Sequence, residues 1–254
     1  MGWFEEKEQL GKEIIELLYQ NGMIKTWYRD RPEGWILKSK LWSPFYIDLR
    51  PITSFPSSAQ ILRIVGTALG KMIKEEVPSV NKIVGIAAAG VPISTAITMQ
   101  QGIPSCYTRK FEDVNTIQEL EAKIKKYGQH ELVEGELGEG DNLALVDDLV
   151  TKFDTKLVGL EQVKRTAAAR KVTVTCNDVV VLFDREQGAR KIAEEMGMNL
   201  HSLIQFKSKG MELLRNSISK VEYDVLTSYL ANDMKYQDKE TQIELKNLAL
   251  SRKL

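Results

Sequence analysis

Two adjacent aspartates, Asp147 and Asp148, follow an apolar run and precede a short polar loop. The run Leu143–Val146 predicts a strand that is buried on both faces, as in a parallel sheet. The aspartates would then lie where that strand emerges, at the carboxyl edge where open α/β sheets bind ligands. Residues 151–155 would lead into a helix over about 156–170, and the first N–H groups of that helix suit a phosphate. Carboxylates beside a phosphate-binding loop fit a sugar phosphate with a free vicinal diol.

The acidic pair also has two other interpretations on these residues alone. Adjacent acids after a strand are often only a solvated strand end or a helix cap. A metal-dependent hydrolase also places carboxylates at the end of a strand. Both alternatives stay open at this point.

Length and charge limit the class of protein. The chain has 254 residues, enough for one large α/β domain with a small appendage, and its 35 basic residues balance 35 acidic ones. A net charge of zero gives no electrostatic case for a nucleic-acid or membrane partner. The first ten residues lack the apolar core of a signal peptide, and no apolar run approaches the ~20 residues of a membrane span. Cys106 and Cys176 are expected to be reduced core thiols, and the protein to be cytoplasmic.

Hydrophobic periodicity divides the chain into three parts. Residues 1–56 combine a helical stripe over Glu5–Asn21 with short strands, which predicts a small amino-terminal cap. Residues 57–206 alternate strands and helices, which predicts an α/β core with a doubly wound parallel sheet. Residues 207–254 contain an amphipathic helix and a polar tail, which predicts a helical carboxyl-terminal extension. The predicted core strands are 83–87, 104–108, 143–147, 178–184 and, at the edge of the sheet, 200–204.

Five segments resemble known motifs and occur in the same order as in one family. Segment 143–157 resembles the ribose-phosphate motif of type I phosphoribosyltransferases, in which two acids and two aliphatics precede Thr-Thr-Gly-Gly-Ser. The other four segments resemble elements of orotate phosphoribosyltransferases. They are LKS with SPFYIDLR within 37–50, GIAAAGVP at 85–92, the basic and loop residues within 109–136, and DREQG at 184–188. The resemblance covers about residues 5–215 and implies the type I phosphoribosyltransferase fold.

This resemblance implies a reaction. Orotate phosphoribosyltransferases transfer phosphoribosyl from phosphoribosyl pyrophosphate to orotate, giving orotidine 5'-monophosphate and pyrophosphate in pyrimidine (UMP) biosynthesis. Carbon 1 of the ribose passes through a state with oxocarbenium character. Magnesium is the implied cofactor, with no direct protein ligand and held mainly through pyrophosphate and water near Asp147 and Asp148. A mobile loop that crosses into the neighbouring subunit implies a homodimer. The chain is too short for a fused decarboxylase domain, so we expect a single activity.

Motif positions implied by the resemblance assign the site residues. Asp147 and Asp148 would bind the ribose hydroxyls, and Lys125 of the mobile loop would reach the departing pyrophosphate, which makes these three the catalytic candidates. The substrate-binding candidates are Lys38, Arg109 and Lys110 at the diphosphate, Lys126 and Tyr127 in the mobile loop, Thr151, Lys152, Phe153, Asp154 and Thr155 around the 5-phosphate, and Phe45, Tyr46, Thr151 and Arg185 around orotate.

Several of these residues have plainer alternatives. Phe45 and Tyr46 fit ordinary core packing, and Arg185 fits an ion pair with a neighbouring acid in its turn. Lys125 fits a solvated position on a helix, because Ile117–Lys123 looks helical.

The phosphate loop departs from the family pattern at Lys152-Phe153-Asp154, where Thr-Gly-Gly is usual. Phe and Asp resist the backbone angles of those glycines at ~1 kcal/mol or more per residue, so we expect a different backbone path. Asp154 would cap the following helix, and Phe153 would pack outward on the sheet edge or a neighbouring subunit. The alanines at 87–89 leave only backbone contacts for pyrophosphate. Two other functions therefore remain: a non-catalytic nucleotide-binding or regulatory protein on the same fold, and a phosphoribosyltransferase for another base.

Overall fold

The computed structural model describes residues 2–37, 39–127 and 131–252. The strands are β1 (Ile24–Thr26), β2 (Trp35–Ile36), β3 (Trp42–Ser43), β4 (Phe45–Ile47), β5 (Lys82–Gly85), β6 (Ser105–Thr108), β7 (Val133–Glu134), β8 (Asp141–Val150), β9 (Val174–Asp184) and β10 (Asn199–Gln205). The helices are α1 (Trp3–Gln20), α2 (Ser58–Glu76), α3 (Gly90–Gln101), α4 (Ile117–Tyr127), α5 (Asp154–Arg170), α6 (Ala189–Glu195), α7 (Met211–Leu214), α8 (Lys220–Ala231) and α9 (Lys239–Ser251).

The chain forms two compact units. The first contains the residues up to Glu8 together with Leu62–Gln205. The second contains Gln9–Ile61 and Phe206–Leu254, so segments predicted as a separate cap and extension share one unit.

The first unit is built on a six-stranded sheet with the order β10-β9-β8-β5-β6-β7. Neighbouring strands are parallel except for the short β7, which pairs antiparallel with β6. From β5 the chain continues to β6 on one side, and it later returns to β8 on the other side. The sheet therefore reverses its winding between β5 and β8, which makes this boundary the topological switch point. The predicted doubly wound α/β core and the edge position of the last strand are confirmed.

Strand β8 forms the middle of this sheet. The run Leu143–Val146 is completely buried, as its apolar sequence predicts. The predicted end at Asp147 is wrong, because β8 continues to Val150, which lies opposite Asp184 of β9. On its other side β8 pairs with β5 only as far as Val146, opposite Gly85. The acidic pair thus lies beyond the end of β5 while it is still held by β9.

Helix α5 packs on the core through one stripe of side chains. The buried residues Lys156, Leu160, Val163 and Ala167 recur at helical spacing. Apart from the lysine these are apolar, and burial of such side chains stabilises by roughly 1.5–3 kcal/mol for the larger ones. The helix begins at Asp154, two residues before the predicted start.

The second unit joins the amino-terminal and carboxyl-terminal segments through a buried carboxylate. Glu222 of α8 is 3% exposed and accepts hydrogen bonds from Thr26 Oγ1 at 2.5 Å and Tyr19 Oη at 3.2 Å. Burial, together with the neighbouring Glu222 charge, raises the pKa of Tyr19 to about 12. The polar tail forms a helix, α9, although its composition gave no clear helical pattern. Asp238 caps this helix by accepting the Thr241 N–H at 2.9 Å. The predicted helical extension is confirmed.

Two further expectations concern the chain as a whole. Within the described residues, no helix is both long enough and apolar enough to cross a membrane. Cys106 and Cys176 are both free and buried, as predicted. Burial raises the pKa of Cys106 to about 11 and that of Cys176 to about 12.

Candidate active site

Asp147 and Asp148 lie at the switch point of the sheet, and their side chains have different surroundings. Successive residues of a strand point to opposite faces of the sheet. Asp147 shares its face with Leu143 and Leu145, which pack in the same apolar cluster as Leu160 of α5. Asp147 is 8% exposed, whereas Asp148 is partly exposed. The two acids are therefore not equivalent.

A buried lysine neutralises the first of these acids. Lys156 is 2% exposed, and its Nζ donates to Asp147 Oδ2 at 2.6 Å and to the Leu149 carbonyl at 2.7 Å. The other oxygen, Asp147 Oδ1, accepts the Asp148 N–H at 2.9 Å. Both oxygens of Asp147 thus have protein donors. Lys156 was missed from the sequence, although a cation that continues the buried stripe of α5 requires a carboxylate partner.

The surroundings of the second acid, Asp148, disfavour its ionised form. Burial, together with the neighbouring Asp147 charge, raises the pKa of Asp148 to about 7, although the Lys156 charge acts in the opposite direction. The Leu149 N–H donates to Asp148 Oδ1 at 2.7 Å and favours the ionised form. The site therefore disfavours the ionised form of Asp148, and raised pKa values of this kind are common for carboxylates in functional sites.

The phosphate loop takes the different path that its missing glycines require. None of Thr151–Thr155, all of which the structure describes, adopts a positive φ. Phe153 is completely buried in the apolar cluster, so the prediction that it packs outward is wrong. Its carbonyl accepts the N–H groups of Lys156 at 3.0 Å and Leu157 at 3.1 Å. A buried aromatic ring thus fixes the loop.

The predicted cap by Asp154 is also wrong. The residue before the helix is Phe153, which makes no side-chain cap, and Asp154 is the first residue of α5. Asp154 is exposed in the first turn, where a negative charge interacts favourably with the helix dipole. Lys152 and Thr155 are exposed as well, and Thr151 is partly exposed. The N–H groups of Lys156 and Leu157 donate to the Phe153 carbonyl, so those of Asp154 and Thr155 are the ones in the first turn that suit a phosphate.

The loop after β5 lies against the acidic pair and depends on two glycines. The Ile86 N–H donates to the Val146 carbonyl at 2.8 Å. A Cβ atom on Gly90 would lie 2.4 Å from that carbonyl oxygen, and one on Gly85 would lie 2.4 Å from Ser94 Oγ. Only glycine permits this approach. The loop over Gly85–Pro92 therefore brings backbone groups to the switch point, as expected for a segment without polar side chains.

Two basic candidates, Arg109 and Lys110, follow β6, and Arg109 contacts β7. Arg109 forms an ion pair with Glu134 of β7, and its N–H donates to the Leu132 carbonyl at 2.9 Å. Gln162 of α5 donates to the Arg109 carbonyl at 2.8 Å. Lys110 is exposed. The structure thus places Arg109 on the β6–β7 side of the sheet, with its guanidinium held by an acid.

Lys125 lies on a helix, as the alternative interpretation held. Helix α4 begins with a reciprocal cap, in which Glu119 accepts the Thr116 N–H at 2.9 Å and Thr116 Oγ1 accepts the Glu119 N–H at 3.3 Å. Leu120 is fully buried, and Lys125 is exposed. Three other candidate side chains, Lys38, Lys126 and Tyr127, lie outside the described part of the structure.

Arg185 lies at the end of β9, beside the start of the phosphate loop. Its N–H donates to the Val150 carbonyl at 3.0 Å, so Arg185 and Thr151 leave neighbouring strands side by side. The turn is closed by Asp184, which accepts the Glu186 N–H at 2.7 Å. Burial raises the pKa of Asp184 above its usual range.

Phe45 and Tyr46 belong to the second unit. Phe45 is 1% exposed and stacks on Phe206 with ring centroids 5.2 Å apart, which is the core-packing alternative. Tyr46 is partly exposed and stacks with Trp35 at 6.2 Å. Within the first unit, the structure brings together the acidic pair, the phosphate loop, the backbone loop after β5 and the turn of Arg185.

Comparisons with known proteins agree with this arrangement. No family model matches the chain. An orotate phosphoribosyltransferase of Pyrococcus abyssi is 28% identical over 197 residues, which cover 76% of this chain and 91% of that protein. The crystal structure of orotate phosphoribosyltransferase from Aeropyrum pernix has the same fold, with a TM-score of 0.59 at 20% identity over 80% of this chain and 97% of that one.

One relative is similar enough to establish the family. The orotate phosphoribosyltransferase of Saccharolobus solfataricus is 31% identical over 186 residues, which cover 72% of this chain and 81% of that protein. The chain therefore belongs to the orotate phosphoribosyltransferase family.

Proposed function

We propose that this protein transfers the phosphoribosyl group of phosphoribosyl pyrophosphate to orotate, giving orotidine 5'-monophosphate and pyrophosphate for UMP synthesis. In this reaction a bond forms between an orotate nitrogen and carbon 1 of the ribose, while the bond from carbon 1 to the diphosphate oxygen breaks. One observation carries the proposal. The acidic pair, a helix-start phosphate loop and a glycine-dependent backbone loop meet at the switch point of one parallel sheet.

The acidic pair and the phosphate loop would hold the ribose 5-phosphate part of the donor. Asp147 and Asp148 would accept hydrogen bonds from the ribose hydroxyls, Asp148 with the more accessible carboxylate. The backbone N–H groups of 151–155 would bind the 5-phosphate at the start of α5. Exposed Lys152 and Thr155 add donors beside it, and the charge of Lys152 offsets that of Asp154. Fixing both ends of the ribose phosphate orients carbon 1 for attack.

The departing diphosphate would be bound by backbone and cations. The N–H groups of Ile86, Ala87 and Gly90 are donated within the protein, so the loop would contribute those of Ala88 and Ala89. Arg109, Lys110 and Lys38 are the proposed cationic contacts. Lys125 would neutralise charge as pyrophosphate leaves, with Lys126 and Tyr127 as further contacts from the same segment.

Magnesium fits this site as an ion held by the substrate. Both oxygens of Asp147 are bonded to protein donors, and no group of three or more acidic, histidine or cysteine side chains among the described residues forms a metal cage. The ion would therefore bind diphosphate oxygens and water, with Asp148 as the carboxylate that holds such a water. When bound, magnesium supplies positive charge to the departing pyrophosphate.

Orotate, a planar anion, requires donors and an apolar wall. Thr151 and Arg185 leave adjacent strands and supply hydroxyl and guanidinium donors, and a guanidinium suits a carboxylate. Tyr46, which keeps an exposed surface, is the better candidate for the wall than the buried Phe45. These donors favour orotate over a purine.

The exchange of the mobile loop between subunits, which the family resemblance implies, supports a homodimer as the proposed working form, and we propose that this homodimer is cytoplasmic. Mixing a Lys125→Ala chain with an Asp148→Asn chain should restore part of the activity, because one site in the mixed dimer then combines an intact loop with an intact acid. Verified heterodimers without recovery would contradict the crossed-loop arrangement.

The proposal is tested by measuring orotidine 5'-monophosphate formed from orotate, phosphoribosyl pyrophosphate and magnesium. A purine base in place of orotate tests transfer to another acceptor. The missing glycines favour one alternative, a non-catalytic nucleotide-binding protein on the same fold. Tight magnesium-dependent binding of phosphoribosyl pyrophosphate without product formation would support that alternative and overturn the proposed activity.

A further inference from the structure

Lys156 joins the two parts of the site that must act on one substrate. Its ammonium group lies between the carboxylate of Asp147 and the carbonyl of Leu149 on β8, while its backbone belongs to the first turn of α5. The side chain is 3% exposed, and the Asp147 side chain is 11% exposed. The lysine therefore ties the strand that carries the acids to the helix that follows the phosphate loop.

The loop between these two attachments has one more anchor. Phe153 is completely buried, while its neighbours Lys152 and Asp154 are exposed. A buried ring and a buried cation thus hold a loop that contains no glycine from Thr151 to Thr155. The ring fixes the middle of the loop to the apolar core, and the cation fixes its end to the acidic pair.

Charge also requires Lys156 at this place. Asp147, Asp148 and Asp154 lie close in sequence around a site that would receive a polyanion. Helix α3, which packs against β8 and begins beside the acidic pair, carries no ionisable side chain over Gly90–Gln101. The buried carboxylate of Asp147 therefore depends on Lys156 for its counter-charge.

We infer, on the basis of the proposed function, that Lys156 is a positioning residue of the ribose-phosphate site that acts through Asp147. It fixes the distance and orientation between the acids that hold the ribose hydroxyls and the amides that hold the 5-phosphate. A substrate bound at both ends is sensitive to that distance. Orotate binds elsewhere in the site and does not depend on it.

The test uses a double-mutant cycle on the full chain. The variants are Lys156→Met, Asp147→Asn and the combination of both, with Lys156→Arg as the conservative change and Lys164→Met as the control. Lys164 lies on the same helix and is exposed, so its removal takes away the same charge without the contact to Asp147. Calorimetric titration with phosphoribosyl pyrophosphate and magnesium gives the affinities, and initial rates give kcat and KM for each substrate.

Lys156→Met should weaken phosphoribosyl pyrophosphate binding about 10-fold or more and raise the KM for this substrate, with the KM for orotate changed less than about 3-fold. The combined variant should lose no more affinity than the worse single variant, because residues that act as one unit are not additive. Lys156→Arg should recover most of the affinity, and Lys164→Met should resemble wild type.

Three outcomes overturn the inference. They are a folded Lys156→Met protein with wild-type affinity, additive losses in the combined variant, and equal changes in the KM of both substrates. If Lys156→Met does not fold, Lys156→Arg and the combined variant, which leaves no unpaired buried charge, still decide. A wild type that does not bind phosphoribosyl pyrophosphate overturns the proposed function and this inference together, whereas an unaffected Lys156→Met overturns the inference alone.

Discussion

The pKa values of acidic residues are shifted in opposite directions at the carboxyl edge of the central sheet and on its amino-terminal side. At the carboxyl edge the pKa of Asp148 is raised to about 7 and that of Asp184 is also raised, in both cases mainly because of burial. Toward the amino-terminal ends of the strands, Asp141 is partly buried and Asp178 is buried, yet the pKa of each lies below its usual value.

The partners of these acids account for the difference. Burial alone would raise the pKa of Asp141, but the Lys82 ammonium at 2.5 Å and the Gly138 N–H at 2.7 Å lower it. His201 and Asn199, both 3.0 Å from Asp178 Oδ1, do the same for Asp178. At the carboxyl edge, the Lys156 ammonium group donates its hydrogen bond to Asp147. Its positive charge therefore stabilises the ionised form of Asp148 only from a greater distance.

We propose that this difference separates charges that stabilise the fold from charges that serve the ligand site. On the amino-terminal side, Asp141 and Asp178 each accept hydrogen bonds from two protein donors, and their charges stabilise the fold. At the carboxyl edge, the carboxylate of Asp148 has fewer donors, and this lowers the stability of the fold. In the proposed complex, ribose hydroxyls and magnesium-bound water would supply the missing donors.

The largest expected effect concerns the anchor of the phosphate loop. Phe153→Ala should lower the free energy of unfolding by about 3–5 kcal/mol, because a fully buried ring is removed from the core. Urea unfolding followed by circular dichroism measures the change. Phe4→Ala is the control, since Phe4 is 82% exposed and its loss should matter by less than about 0.5 kcal/mol. A loss below about 1 kcal/mol for Phe153→Ala would show that the loop does not depend on this anchor.

Neutralising one acid on each side should change stability in opposite directions at pH 8. The folded pKa of Asp178 lies below its unfolded value, so its stabilising contribution is fully present at pH 8 and is lost only in acid. Asp178→Asn should therefore lower the free energy of unfolding by about 1.5–3 kcal/mol, as for a lost hydrogen bond to a charged group.

Asp148 has the reverse sign. Its folded pKa of about 7 lies above the unfolded value, so ionisation opposes folding as pH rises from about 4 and does so fully above 7. At pH 8 Asp148→Asn should raise the free energy of unfolding, on the order of 1–2 kcal/mol after allowance for solvent screening. The same change should weaken phosphoribosyl pyrophosphate binding by about 1.5–3 kcal/mol. Equal signs for the two variants would remove the contrast between the two sides.

The backbone loop after β5 predicts a smaller effect. A Cβ atom on Gly90 would lie 2.4 Å from the Val146 carbonyl oxygen, and the backbone must move to accommodate it. Gly90→Ala should lower stability by about 1–3 kcal/mol, and activity should fall with it because the acidic pair adjoins that carbonyl. Gly138→Ala is the matched control, with no atom nearer than 3.6 Å to its Cβ. If both variants resemble wild type, the close approach is not required.

The sequence predicted the central strand and its acids better than the residues that surround them. The apolar run Leu143–Val146 was sufficient to predict the strand and the position of the acids at its carboxyl end. The strand length was wrong because Asp147 and Asp148 look like a strand end, whereas β9 provides pairing partners as far as Asp184. Long-range pairing of this kind has no local signal.

The side-chain partners depended on tertiary contacts in the same way. Phe153 was predicted to pack outward on the sheet edge or a neighbouring subunit, yet its ring is buried in the apolar core cluster. Lys156 was not predicted as a site residue, because a lysine early in a helix is usually solvated. Lys125 was placed in a loop by resemblance, while the Thr116–Glu119 cap and buried Leu120 form a helix.

The smallest expected effect is a pH dependence on the amino-terminal side. Hydrogen bonds to Asp178 and Glu76 raise the pKa of His201 to about 9, against the effect of its burial. Because the folded value exceeds the unfolded one, the stabilisation is fully present below about pH 6.5 and is lost as pH rises through 9. The free energy of unfolding should fall on the order of 1 kcal/mol between pH 7 and 9.5, allowing for solvent screening. His201→Gln should be less stable at pH 7 and should lack this part of the decline, as measured by urea unfolding at both pH values. A decline of the same size in both proteins would show that His201 is not the group responsible, and that the charges on this side are less completely paired than the distances indicate.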